Sequence, residues 1–555
     1  MRARARFSLS LIIDITDEAT ENHSLSVFCI LYIYKFERTK RYTAVRILKP
    51  VLIVAFYLFL FLVIAKILYV GIAEMHLSQN LQKETPALIL TSEAYLDENF
   101  TDFKQRLVHR AQVQPFNLIA LGIFVLAIIH TLLANKFTQF ARYLQKRRGR
   151  LQRKEQEWNS ITLFWIEFFQ FMGEIEVIFG LWVIPLLIAM TFAFDWNTAT
   201  QYVSSLNYVE PLFVVVIMTI ASTKPIVTLA ETCLHFVAKL GGETTTAWWL
   251  TLLIAGPLLG SLITEPAAMT VTALLLGKQI YRFHPKDKLA YLTLGLLFTN
   301  ISVGGLLTNF AAPPILMVAQ KWQWDSAYIF IHFGLNAIIS VTLTTLACFC
   351  FLRKDLQVLE EAKQVRLAKH PDDGRGVKIP FWIILVNITF MTWIIIHNHY
   401  PAIFIGSFLL FLGFYKATEI HQSDLELKTP ILVGFFLGAL VVHANLQAWW
   451  ISPLLEKAQA FTILLFSLAL SPFVDNSIIT YLASLTPNFD DAMKYAVVVG
   501  TIAGGGITII ANAPNPAGQA ILRDYFPKGI APTKLCLAAL IPTFIVLLVY
   551  YFVRW

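Results

Sequence analysis

Charge is scarce in this 555-residue chain: 14% of residues are Asp, Glu, Lys or Arg, 57% are apolar, and the mean hydropathy is +0.62. An ordinary globular domain carries about 25% charged residues, so the polar surface needed to coat several soluble domains is missing. The composition is that of an all-α polytopic membrane protein. Cysteine is scarce too. Cys29, Cys233, Cys348, Cys350 and Cys536 are scattered without a CxxC pair, which excludes a disulfide framework and argues against a zinc site. Also missing are a Gly-rich phosphate loop followed by Lys, a GxSxG elbow and an HExxH helix. Neither an enzyme nor an ATP-driven pump is expected, and nothing calls for a cofactor. The 44 Lys+Arg exceed the 36 Asp+Glu by eight. They lie in short loops between apolar segments, so the excess reports topology and not nucleic acid.

A helix needs about 20 apolar residues to cross the bilayer core. Residues 1–46 are basic at Met1 to Arg6 but broken by Asp14, Asp17 and Glu18. They lack a small-residue cleavage site and read as a cytoplasmic extension, with Val27 to Phe36 as a candidate interfacial helix. The segment 47–115 holds a first crossing, about 47–70, and an acidic loop, 71–115, expected outside. A crossing at about 116–135 runs into Lys136, Arg142, Lys146, Arg147, Arg148, Arg150, Arg153 and Lys154, which places that loop in the cytoplasm. Crossings three and four are expected at about 161–194 and 209–240. The apolar stretch 246–277 is interrupted by Gly256, Pro257, Gly260, Ser261, Thr264, Glu265 and Pro266 and is followed by Lys278, Arg282, Lys286 and Lys288. One crossing would put those positives outside, so the charge rule favours a re-entrant hairpin. Crossings five (about 289–319) and six (about 327–352) complete a first transporter half, 116–352. A basic cytoplasmic linker, 353–379, separates it from the second half, 380–555. There crossings seven to nine (about 380–398, 401–416 and 430–448) precede an interrupted stretch, 458–487, with Ser471, Pro472, Asp475 and Asn476. Crossing ten (about 494–522) ends in Arg523 and Lys528, so this hairpin opens from outside, and an eleventh crossing lies at about 534–553.

Two segments match without gaps: Gly304-Gly305-Leu306-Leu307-Thr308-Asn309-Phe310-Ala311-Ala312-Pro313-Pro314 lies on Gly505-Gly506-Ile507-Thr508-Ile509-Ile510-Ala511-Asn512-Ala513-Pro514-Asn515. Each lies mid-crossing after a hairpin with an acidic residue near its tip, and the loop charges give the copies opposite orientations. An inverted repeat with paired broken helices is the sequence signature of a secondary transporter. Gly and Pro free backbone carbonyls at membrane depth, which is tolerable only where protein or a water-lined cavity satisfies them.

A carboxylate at the bilayer centre costs roughly 2.5–3.5 kcal/mol on insertion scales and so has a role or a partner. Glu265 and Asp475 each lie among hydroxyl, amide and carbonyl oxygens, the donor set of a hard-cation shell suited to Na+. In a poorly hydrated site a carboxylate takes up a proton more readily, so Na+ and H+ compete for it, as antiport requires. Asp475 is expected to be the principal exchangeable carboxylate, with Asn476, Thr508 and Asn512 as neutral ligands. Glu265, Thr308 and Asn309 form the counterpart set, either a second ion site or a structural hinge shaped by Pro266. Glu174 and Glu176 are proton-relay candidates. An ion pair between crossing three and Lys224 is the competing reading.

These segments resemble the ion transporter superfamily, which includes divalent-anion/sodium symporters, arsenite permeases and NhaD-type sodium/proton antiporters. Asp475-Asn476-Ser477-Ile478-Ile479-Thr480 is similar to its Asp-Asn hairpin motif. Gly173-Glu174-Ile175-Glu176-Val177-Ile178-Phe179-Gly180 and Gly504 to Pro516 resemble the Na+/H+ antiporter family within it. The likeness spans about residues 116–553. It implies about eleven transmembrane helices and two hairpins moving as an elevator, usually in a homodimer, with Na+ and H+ as substrates. A bacterial inner membrane with a cytoplasmic N-terminus is the expected location. The symporters carry Ser-Asn-Thr at both tips, whereas Thr264-Glu265-Pro266 and Val474-Asp475-Asn476 place a carboxylate at each. That departs from a dicarboxylate site, since two fixed negatives repel the substrate, and excludes an arsenite-like neutral species less firmly.

Overall fold

The computed structural model describes residues 93–97, 100, 102–152, 160–369, 379–487, 489–527 and 529–553. The extension 1–46, the crossing at 47–70 and residues 370–378 of the linker 353–379 lie outside the described residues. Among those described the chain is helical throughout, without a strand. The helices are α1 (Phe103–Val113), α2 (Phe116–Gln152), α3 (Ser160–Phe171), α4 (Ile175–Ala193), α5 (Trp196–Ser205), α6 (Val209–Ala221) and α7 (Lys224–Leu240). After these come α8 (Thr245–Ile263), α9 (Glu265–Gln279), α10 (Asp287–Gly304), α11 (Pro313–Ala319), α12 (Ser326–Ile329) and α13 (Leu335–Lys369), the last two joined by a π turn, Phe330–Gly334. The rest are α14 (Phe381–Ile396), α15 (Pro401–Ala417), α16 (Lys428–Ala444), α17 (Ala448–Leu455), α18 (Ala460–Leu470), α19 (Asn476–Ala483), α20 (Asp491–Gly504), α21 (Asn515–Leu522) and α22 (Pro532–Phe552).

Among the described residues six helical stretches are long and apolar enough to cross a membrane: Phe116–Lys146, Ile175–Ala193, Thr245–Ile263, Ser326–Val365, Lys428–Leu455 and Pro532–Phe552. The pair α5 and α6, bent by 57°, makes a seventh if counted as one span. Their apolar surface makes this an integral membrane protein. Two stretches expected as single crossings are each two helices. At 161–194 the break falls at Met172–Glu174, where a Cβ on Gly173 would lie 2.3 Å from Thr138 Oγ1. At 209–240 it falls at Ser222–Thr223. Pro225 has no N–H and its ring would clash with the carbonyl four residues back, that of Ala221, where α6 ends.

Charged contacts gather the connections into two ends of the bundle. At one, Lys278 meets Glu231 (3.9 Å), Lys288 meets Asp355 (4.0 Å), Lys534 meets Asp287 (2.7 Å) and Lys363 Nζ donates to Glu243 O (3.4 Å). This basic end holds both feet of the α8–α9 hairpin. At the other end Arg110 donates to Trp449 O (3.0 Å), Asn207 to Gln320 Oε1 (3.3 Å), and the rings of Trp322 and Phe489 stack. This end holds the feet of the α18–α19 hairpin. Across the bundle α11 packs on α19 and α9 on α21, so each hairpin's second helix rests on the short helix that follows the other break.

Candidate functional site

Both α10 and α20 stop at a glycine, Gly304 and Gly504, and the chain stays unwound over 305–312 and 505–514. The two unwound segments grip the hairpin tips alike. Glu265 N donates to Ala311 O (3.2 Å), and Asn476 N to Ala511 O (3.1 Å). Thr308 Oγ1 donates to Ser261 O (2.8 Å), and Thr508 Oγ1 to Pro472 O (2.7 Å). Gly305 leaves space for Glu265, since a Cβ there would lie 2.5 Å from Glu265 Oε1. Gly505 leaves space for Asn476, whose Nδ2 would be 2.7 Å away. These contacts pair Gly304 with Gly504, one residue out of the gapless sequence match, and pair Glu265 with Asn476 rather than with Asp475. The contact register also matches Thr308 with Thr508, Ala311 with Ala511 and Pro314 with Pro514, so residue identity and contacts agree on it.

The tips differ in backbone. Thr264 has φ 74° and ψ 149°, a region open essentially to glycine and costing of order 1–3 kcal/mol for other residues. Asp475 has an ordinary φ of −56° and caps α19, its carboxylate accepting from Ser477 N (2.8 Å).

Glu265 is fully buried. Its Oε2 accepts from Asn512 Nδ2 (3.0 Å), while Oε1 has no hydrogen-bond partner among the described residues. The buried Oδ1 of Asn512 and Oγ1 of Thr264 are likewise without one. Among the described residues neither Glu265 nor Asp475 forms an ion pair. The charges close enough to act on them are other carboxylates, Asp475 on Glu265 and Glu176 on Asp475. Orphaned buried oxygens beside an uncompensated carboxylate are costly and fit a small cation or a proton.

The remaining candidates are placed as follows. Asn476 donates to Ser302 Oγ (3.4 Å) and lies 2.7 Å from Ser471 Oγ, inside the tip. Asn309 turns away: its Nδ2 donates to Trp324 O (3.1 Å) and its Oδ1 accepts from Ser326 (2.8 Å). Glu174 pairs with Lys428 (2.6 Å), and Lys224 forms no ion pair among the described residues. Glu176 is half-buried on the first turn of α4. Two residues stand out only in the structure. Asn515 Nδ2 donates to the freed carbonyls of Gly505 (2.7 Å) and Thr508 (2.9 Å), and Ser302 Oγ donates to Ile502 O (3.0 Å), tying the breaks together. The first had a faint signal, an Asn between two prolines; the second had none. A small half-open recess at the end away from the basic connections, lined by Glu210, Gln320, Asn398 and His399 among others, reaches Asn309 in the first break.

Paired helix breaks around buried carboxylates, inside an all-helical apolar bundle, define a membrane transport protein. The chain belongs to the family described as "Putative Na+/H+ antiporter", whose model matches residues 115–553. No curated protein matches the chain.

Proposed function

We propose that the protein exchanges Na+, or another monovalent cation, for H+ by alternating access. Glu265 is the exchangeable carboxylate. Asn512 Oδ1 and Thr264 Oγ1 are neutral ligands to the cation, and Asp475 shapes the second tip while adding negative potential. The observation that carries this reading is Glu265 itself, fully buried with one oxygen unpartnered and only carboxylates as charged neighbours. A proton or a cation satisfies that oxygen equally, and occupancy by one excludes the other. The paired contacts support an inverted repeat within about eleven crossings. Both feet of each hairpin lying at one end supports re-entrant hairpins. An elevator-like homodimer in a bacterial inner membrane with the basic end cytoplasmic completes the proposal. Glu176 is the proposed next carboxylate on the proton's path, and Glu174, paired with Lys428, is a fixed charge.

The test is proton release from purified protein in vesicles on addition of Na+, Li+ or K+, with Glu265→Gln as the control that keeps shape and removes the titrating charge. Na+-driven proton movement that vanishes in the variant is expected. Succinate, citrate or arsenite uptake without cation-driven proton movement overturns the reading in favour of an anion or metalloid permease.

A further inference from the structure

The segment preceding α2 carries a second buried ionic cluster, far from Glu265 in sequence and upstream of the residues the family model matches. Arg110 is 0% exposed and Asp97 2%. The guanidinium makes two bonds to that carboxylate, Nε to Oδ2 (2.5 Å) and Nη2 to Oδ1 (3.2 Å), and lies 4.7 Å from the centre of the Tyr95 ring. Its remaining arm, Nη1, donates to Trp449 O in α17 (3.0 Å). One turn earlier Arg106 reaches both Asp97 (3.4 Å) and Glu456 (3.0 Å). Burying ions costs several kcal/mol apiece and is offset only where geometry is good and every donor is used. Arg110 has all three nitrogens engaged, while Nε of Arg106 is buried without a partner among the described residues; through both arginines the cluster holds what it joins.

What it joins is the foot of the α18–α19 hairpin. Glu456 stands four residues before α18. The helix gripped through Trp449, α17, packs on α19, and its Ser452 Oγ donates to Leu485 O just past that helix (3.4 Å). Entry and exit of this hairpin are therefore held to α1, which leads directly into α2. We propose that Arg106 and Arg110 are positioning residues for the second hairpin: the clip they form sets how far Asp475 and Asn476 can move from residues 505–514, and thereby the turnover of exchange. This rests on the cation-exchange reading of the site, whose ligands the clip does not touch.

The test uses full-length protein in detergent and in vesicles. Glu456→Gln opens the outer pair, while R106C/E456C joined by a short bifunctional maleimide on a cysteine-free background closes it. Amide hydrogen exchange over residues 471–487 is expected to quicken about tenfold in the first and to slow in the second. Turnover should move in opposite directions in the two, with the KM for Na+ unchanged. Hydrogen exchange unaltered by either variant, or moved the same way by both, overturns the clip. Absence of cation/proton exchange in wild-type vesicles, with hydrogen exchange over 471–487 still quickened in the first variant and slowed in the second, overturns the cation reading and leaves the clip standing.

Discussion

The two hairpins share one hydrogen-bonded frame and fill it with different side chains. In each, a tip N–H meets a carbonyl of the unwound chain, a threonine of the break returns a bond to the hairpin, and a glycine opens space for the tip side chain. Into that frame the first hairpin puts a strained Thr264 and a Glu265 with a single donor, and the second puts an unstrained Asp475 capping a helix and an Asn476. A buried carboxylate oxygen left bare has more to gain from a cation than a carboxylate already engaged as a helix cap. On the proposed reading the two tips, alike in frame, differ in role, and the bonding of each carboxylate marks Glu265 as the one that exchanges.

Glu265→Gln should do most to separate the two hairpins, lowering cation/proton exchange on the order of 100-fold, since the carboxylate's interaction with the cation is lost outright. Asp475→Asn should cost roughly tenfold, since a nearby negative charge is lost while the helix cap, which Asn makes as well as Asp, and the bare oxygen of Glu265 stay. Initial rates of proton release in vesicles rank the two, and the opposite order breaks the comparison. Gly305→Ala should come next. Its Cβ would lie 2.5 Å from Glu265 Oε1, so overpacking of roughly 1–3 kcal/mol is expected, together with weakened Na+ dependence of exchange. Asn512→Ala removes the one side-chain donor to the Glu265 carboxylate among the described residues and should raise the KM for Na+ about tenfold while thermal unfolding shifts little.

The smallest effect is set by pH at the foot of the first hairpin. Burial pushes the Glu360 carboxyl up, but hydrogen bonds from Thr245 and Gln364 and the charge of Lys363 outweigh it and hold it below the ordinary glutamate value. A carboxylate lowered in the native state contributes fully above its unfolded pKa and is lost as pH falls through the native one. Thermal unfolding of the wild type should thus lose, on acidification below the ordinary glutamate range, a small increment that Glu360→Gln lacks at every pH.

Much of the helical layout is legible in the sequence because proline and glycine interrupt apolar runs. The stretches 246–277 and 458–487 correspond to α8–α9 (Thr245–Ile263 and Glu265–Gln279) and to α18–α19 (Ala460–Leu470 and Asn476–Ala483). Loop charge also groups the connections, as the contacts among Lys278, Lys288, Lys363 and Lys534 and their partners illustrate. The break between α3 and α4 is illegible, since it depends on Gly173 pressing against Thr138, a contact between distant residues. The site is legible in its residue types but not in its bonding. Asn309 follows a threonine that grips the hairpin, yet the unwound backbone aims it at Trp324 and Ser326. Which carboxylate is left with a bare oxygen depends on Asn512 arriving from across the molecule.

That arrival has a price in time. Asn512 follows Glu265 by 247 residues, which at about 5–20 residues per second of synthesis is on the order of 10–50 s. Throughout that interval the nascent protein holds a carboxyl group at the tip of a completed hairpin with its donor not yet made. Protonation by the surrounding water is the simplest way to keep Glu265 tolerable in a hydrocarbon setting until the last helices insert. On the exchange reading proposed above, biogenesis then delivers a proton-loaded molecule, whose proton the first cation displaces.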